Sequence, residues 1–240
     1  MGEGRARGKA GERVAMLRLF VHVEGQTEEN FVNEVLREHL WQSSGISVSA
    51  RRLGSPRRSG IPSWQSARRD ILRHLKQDTG AIHTTIVDYY GLPLDWPGRP
   101  EAPNMGSASA KARCVEAALI ADISNAMGTG CDPNRFIPLV MMHEFEALLF
   151  SDPVSFAREI CRPDLAAGFL AIRRNFDTPE DINDSVDTAP SKRIVRLFPK
   201  YEKPLFGPLA IIEIGLTTIR KECPHFNSWL ERLESLVHQP

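Results

Sequence analysis

Five side chains carry the chemistry this sequence offers: Glu24, Asp88, His143, Glu144 and Glu146. Glu24 stands in VEGQTEENF, Asp88 in TTIVDYYGLP, and the other three in HEFEALLF. Carboxylates gathered at one place repel one another unless a cation lies among them, and hard oxygen ligands of this kind suit Mg²⁺ or Mn²⁺. An imidazole in such a cluster serves as a residue that orients a ligand, the expectation for His143; its alternative is a hydrogen-bonded core histidine. Glu144 and Glu146 are two residues apart, so on a helix they point in different directions. One of the pair is expected to bind metal, with Glu144 favoured because it lies nearer a strand end and Glu146 left open.

Distant acids meet only if the fold collects them. LRLFVHV (17–23), AIHTTIV (81–87) and FIPLVMM (136–142) are apolar runs of strand length, and ISVSARRL adds a fourth. Between them lie helical patterns: TEENFVNEVLREHLWQ (27–42) with Thr27 as its cap, 64–77 capped by Ser63, and the alanine-rich 107–127 ending on Gly128. Strand-helix-strand alternation predicts a mostly parallel α/β sheet, whose strands end along one edge, where open sheets bind ligands. Glu24, Asp88 and the Glu144/Glu146 pair each follow a strand. The taken-alone alternative for each is an ordinary turn or cap residue.

Length and charge narrow the function classes. A chain of 240 residues can bury a sizeable core. Its 30 basic and 30 acidic residues cancel, which excludes general basicity and makes any polyanion binding local. Cys114, Cys131, Cys161 and Cys223 lack C-x-x-C spacing, so they read as reduced thiols of a cytoplasmic protein. No apolar run approaches the roughly 20 residues of a membrane span. Residues 1–15 have no apolar stretch of the secretory kind and are expected to be a disordered leader. The α/β core is then expected over 16–152 and a mainly helical extension over 153–240.

VEGQTEENF, DYYGLP, HEFEALLF, APSKR and the YEKPLFG segment together resemble a bacterial family known as domain of unknown function 4276, whose core resembles the Toprim fold. That resemblance covers nearly all of 17–235. It implies a Toprim-like core in which Glu24 and Asp88 hold Mg²⁺ for phosphodiester chemistry, and a role as effector partner of an ABC-type ATPase in bacterial defence. A Toprim aspartate motif reads D-x-D, whereas position 90 here is Tyr90. A tyrosine supplies no carboxylate at neutral pH, so Glu144 or Glu146 must fill the gap, or the site is weak or silent.

Local charge marks where a polyanion would lie. Eight basic residues fall between Arg51 and Lys76 against Asp70 alone, and Arg51, Arg52, Arg57 and Arg58 are the expected nucleic-acid contacts there. A second group, Lys192, Arg193, Arg196, Lys200 and Lys203, lies in and after a helix expected from Pro190. Lys192 is read as the cation that reaches a scissile phosphate and Arg193 as a backbone contact. The acidic segment DTPEDINDSVDTAPS places Asn183 and Asp184 as secondary candidates. The leading expectation is a Mg²⁺- or Mn²⁺-dependent nuclease acting on nucleic acid, DNA first, as a monomer or oligomer. With no G-x-x-x-x-G-K-[ST] loop, ATP hydrolysis would come from a partner. The alternatives are a non-catalytic binding subunit, which Tyr90 favours, and a small-molecule phosphohydrolase.

Overall fold

The structure, a computed structural model, describes residues 16–54, 60–129, 132–182 and 187–238. In β1 (Arg18–Val23) Leu19, Val21 and Val23 alternate with Phe20 and His22, so the two sides of the strand meet different layers. β1 lies between β2 (Ser47–Arg52) and β3 (Ala81–Asp88), and β4 (Leu139–Met141) completes the order β2-β1-β3-β4 with every pair parallel. The sheet is that of an α/β protein, as the alternation of patterns predicts.

Parallel neighbours need crossovers, and helices supply them. α1 (Gln26–Phe31) and α2 (Arg37–Ser44), joined by a π-helical turn over Val32–Leu36, return the chain to β2. α3 (Trp64–Gln77) leads into β3, and α4 (Ala108–Met127) precedes β4. α1 and α2 pack on the Leu19, Val21 and Val23 face, and α3 and α4 on the other, where Val87 and Val140 point. The connections out of β1 and β3 therefore use opposite faces. The point between those two strands is where an open α/β sheet leaves a crevice at its C-terminal edge.

The remaining helices are α5 (Pro153–Glu159), α6 (Ala166–Arg173), α7 (Pro190–Leu197), α8 (Lys203–Ile214), α9 (Leu216–Glu222) and α10 (Pro224–Glu234). They share one core with the α1 face of the sheet: Phe156, Phe169, Ile211, Phe226 and Leu230 are fully buried in the same cluster as Leu19 and Val21. Trp229 joins the layers, its indole N–H donating to the buried Thr84 hydroxyl at 2.9 Å. Leu233 beside it is fully buried.

Several local expectations are corrected. The first helix is not capped by Thr27: Gly25 is the cap, and Glu28 reaches back to accept its N–H at 3.0 Å. Ser63 precedes α3 without a side-chain cap; the Asp95 carboxylate takes the Trp64 N–H at 2.8 Å. Only Leu139–Met141 of FIPLVMM is strand, joined upstream by a single bridge from Phe136 to His83; Pro138 between them has no N–H to give a ladder. Within GPLAIIEIGLTTIRKE, Gly215 takes φ +80° and separates α8 from α9. Residues 1–15, Arg57, Arg58, Cys131, Asn183 and Asp184 lie outside the described residues. The three described cysteines are free thiols.

Gly98 fixes the loop after β3 onto α4. It has φ +77°, and a Cβ there would sit 2.8 Å from the Cys114 carbonyl oxygen and 2.9 Å from Val115 Cα, both backbone. Gly98→Ala is expected to cost about 2 kcal/mol or more from the left-handed conformation and the clash together. Urea unfolding of the two proteins measures it.

Candidate functional site

Register brings the two strand-end acids together. Val23 of β1 pairs with Ile86 of β3, so Glu24 falls beside Val87 and one residue short of Asp88 on the neighbouring strand. Strands lie about 4.8 Å apart. The Asp88 backbone favours charge on the neighbouring Glu24 carboxylate, and the Asp88 carboxylate Oδ1 accepts from the Phe145 N–H at 2.9 Å. That bond ties β3 to the turn after β4. The pairing runs on beyond the strands, with Tyr89 N–H donating to the Met141 carbonyl and Tyr90 N–H to the His143 carbonyl.

Four carboxylates and one ammonium form the cluster. Glu28 enters from the first turn of α1, Glu146 from the 3₁₀ segment Phe145–Ser151, and Lys203 from the start of α8. Glu146 is fully buried, and its Oε2 lies 2.7 Å from the Lys203 ammonium. This is an ion pair, and Glu146 Oε1 has no hydrogen-bond partner. Glu24 Oε2 is likewise buried without one.

Electrostatics register the crowding. Burial, then the Glu28 charge, pushes the Glu24 carboxyl up to about 7 against the pull of Lys203. Burial also raises Glu146 to about 7 although Lys203 opposes it. Asp88 is held well above the usual carboxylate range by burial, with Glu28, Glu24 and Glu146 adding to it and Lys203 working against it. For Lys203 itself burial disfavours the charge, and Glu146, Asp88 and Glu144 overcome that, so its pKa rises. One ammonium does not neutralise this many acids. Burial, Glu146 and Glu144 also drive up the buried Tyr201 phenol, whose hydroxyl has no partner.

The donor set fits a hard divalent cation: carboxylates only, two of them with buried oxygens that lack a hydrogen-bond donor. Among the described residues, however, no three His, Cys, Asp or Glu side chains form a closed metal-ligating group as they stand. Lys203 is the cation on Glu146.

The other expected residues are placed as follows. Glu144 turns from the cluster, its Oε2 accepting the Ser191 N–H at 2.8 Å in the first turn of α7; Glu146, the alternative left open, is the one that reaches Asp88 and Lys203. His143 is buried with its ring edge-on to Tyr89, centroids 6.2 Å apart. Lys192 is exposed on α7, next to the Ser191 that holds Glu144. Arg52 is committed to Glu29 at the C-terminal end of β2, and Arg51 lies over the Phe20 ring at 4.8 Å. Arg193 donates to the Thr188 carbonyl and stacks on Phe176. Glu28 and Lys203 were not singled out for the site by their sequence. Glu28 had a signal, since it ends the EGQTE run four residues after Glu24; Lys203 had its place in a basic group and in the YEKPLFG segment, neither of which pointed to the acids.

A parallel α/β sheet with a buried carboxylate cluster at its switch point defines the general class. The chain belongs to the family described as domain of unknown function (DUF4276), which matches residues 23–234. Among curated proteins none matches the sequence. Among solved structures, the C-terminal region of the Xanthomonas campestris pv. campestris OLD protein is similar at 14% identity, covering 92% of this chain and 95% of that one, with a TM-score of 0.39. Among the described residues, no helix is long and apolar enough to cross a membrane.

Proposed function

We propose that this chain is a Mg²⁺- or Mn²⁺-dependent nuclease with a Toprim-like core. The observation that carries this reading is the convergence of Glu24, Glu28, Asp88 and Glu146 in one largely buried cluster at the sheet's C-terminal edge, with charge in excess of what Lys203 offsets. Glu24, Asp88 and Glu146 would hold the metal, with Glu28 beside them and Glu144 behind. A divalent cation there supplies activation of water and compensation of the phosphodiester's developing charge. The Phe145 N–H fixes the Asp88 carboxylate and the Ser191 N–H fixes Glu144 at the foot of α7, which sets Lys192 one residue away. Lys192 then serves the phosphate from outside the cluster. His143 packs against Tyr89 and orients the turn that carries Glu144 and Glu146. Nucleic acid, DNA first, would cross the exposed basic side chains near Arg51, and the resemblance of the family motifs supports a partnership with an ABC-type ATPase in bacterial defence.

One observation favours a second reading. The Lys203 ammonium already neutralises Glu146, and Tyr90 stands where a second aspartate would bind metal. A chain so built can act as a binding subunit without catalysis. Plasmid nicking in Mn²⁺ decides between the two, with Glu24→Gln, Asp88→Asn and Glu146→Gln compared with wild type. The nuclease reading expects a fall of about 100-fold or more in each variant, since each loses a ligand that acts with the others. Equal rates in all four proteins, with and without an ATPase partner, would reject it.

A further inference from the structure

A cleft of about 400 Å³ opens between α4 and α10, beside the outer edge of β4. It lies at the N-terminal end of that strand, against Ile137 and Pro138, whereas the carboxylate cluster stands at the opposite ends of the strands. One wall is the α4 stripe with Arg113 and Glu116, three residues apart; the other is the α10 stripe with His225 and Arg232, seven apart. Pro138 and Trp229 give it an apolar floor.

The charges in this cleft do not balance. Glu116 is the carboxylate that lines it, and it is already used: its Oε1 accepts the Val140 N–H at 2.9 Å, capping the unpaired side of β4, and meets His225 Nε2 at 2.9 Å. Burial works against a proton on His225, but the hydrogen bond and the charge of Glu116 outweigh it and raise the imidazole pKa. Arg113 and Arg232 remain. Neither ion-pairs with a carboxylate among the described residues, and Arg232 makes a 3.5 Å hydrogen bond to the Asn134 side chain. Two guanidinium groups, beside an imidazole already held by Glu116, thus line a cavity that falls within the range of small-ligand sites, roughly 300–1,000 Å³.

We propose that this cleft binds the phosphate group of a small phosphate ester of nucleotide size, with the phosphate between Arg113 and Arg232 and the remainder over Pro138 and Trp229. Guanidinium forks match phosphate oxygens in pairs, and two of them match the charge of a monoester dianion. Pro138 and Trp229 are themselves buried, so they offer the rest of the ester an apolar edge at the bottom of the cleft. The site stands whether or not the carboxylate cluster cuts nucleic acid, because no residue is shared.

Calorimetric titration of the whole chain tests it, using a nucleoside 5′-monophosphate, the same nucleoside without phosphate, inorganic phosphate and a single-stranded octanucleotide. Each is measured on wild type and on Arg113→Ala/Arg232→Ala. Both arginines are exposed, so the double variant keeps its core, and a thermal melt confirms that it is folded. The expected result is binding of the monophosphate that weakens at least tenfold in the double variant, with no detectable binding of the nucleoside. Inorganic phosphate is expected to bind more weakly and to lose affinity in the same variant. Equal monophosphate affinity in both proteins overturns the proposal, as does the absence of heat from every phosphate ligand at millimolar concentration. An octanucleotide that binds more tightly than the monophosphate and depends on the same two arginines also overturns it, by assigning the phosphate to a polymer.

Discussion

Lys203→Met is expected to destabilise the protein by about 2 to 3 kcal/mol at pH 7, chiefly through the acid it leaves behind. Glu146 is fully buried and Lys203 is its ion-pair partner at 2.7 Å. Removing one member of a fully buried pair costs roughly 3–5 kcal/mol. The Lys203 side chain is 39% exposed, so water already screens part of the attraction and the expected loss is smaller. The charge origin has its own signature. Without Lys203 the Glu146 carboxyl holds its proton to higher pH, so the variant's deficit should shrink on acidification from pH 7 to 5. Millimolar Mn²⁺ should stabilise the variant more than the wild type if the carboxylates accept a divalent cation in place of the ammonium. Urea unfolding at the two pH values, with and without Mn²⁺, measures both effects. A deficit that is the same at pH 7 and pH 5 would mean that lost packing, and not charge, is responsible.

The wild-type protein is expected to show little net change in stability between pH 7 and pH 4.5, because two buried groups pull in opposite directions. Glu24 and Glu146 titrate at about 7 when folded. Their raised pKa values contribute stability that is full below the unfolded value near 4.5 and is lost as pH rises through 7, a ceiling of about 3.4 kcal/mol each. The histidines under the other face of the sheet do the reverse. His22 and His83 are fully buried, their rings stacked with Nε2 of the first 3.1 Å from Nδ1 of the second, and His74 stacks on His22. Burial, then the charge of Arg135, lowers His83 to about 3, and burial lowers His22 further below its ordinary value than His74. Their depressed values contribute stability present above about 6.5 and lost as pH falls toward 3, at about 2.5 kcal/mol for His83 by pH 4.5. Substitution should separate the two. On moving from pH 7 to 4.5, Glu146→Gln should lose about 2 to 3 kcal/mol relative to wild type, and His83→Phe should gain a similar amount. Parallel pH profiles for the three proteins would show that neither group controls the slope.

Much of the architecture was legible because its signals are local. Apolar runs of strand length separated by helical patterns gave β1, β3 and the three crossovers, and acids placed after β1 and β3 had to meet once those strands were parallel neighbours. Where the sequence misled, a distant partner had intervened. Ser63 is a reasonable cap, but Asp95, thirty-odd residues on, holds the Trp64 N–H. Glu144 is nearer the strand end than Glu146, and its bond to the Ser191 N–H of α7 is one that nothing within HEFEALLF reports. Lys203 is the clearest case. Its neighbours read as a basic group where a polyanion would lie, and only the packing of α8 beside α1 turns it into the counter-ion of a buried acid.

The sequence distance of Lys203 from the acids it serves sets an order on the making of this protein. Glu24, Glu28, Asp88 and Glu146 are all synthesised before it, and α8 shares their hydrophobic layer. A nascent sheet that closes early brings like charges into a dry crevice with no ammonium to balance them, a contact whose reward waits on a long loop closure. Until α8 arrives, those carboxyls can be buried only with their protons on, and ionised ones keep their water. Burial of these acids in their ionised form thus depends on a cation delivered from the last third of the chain.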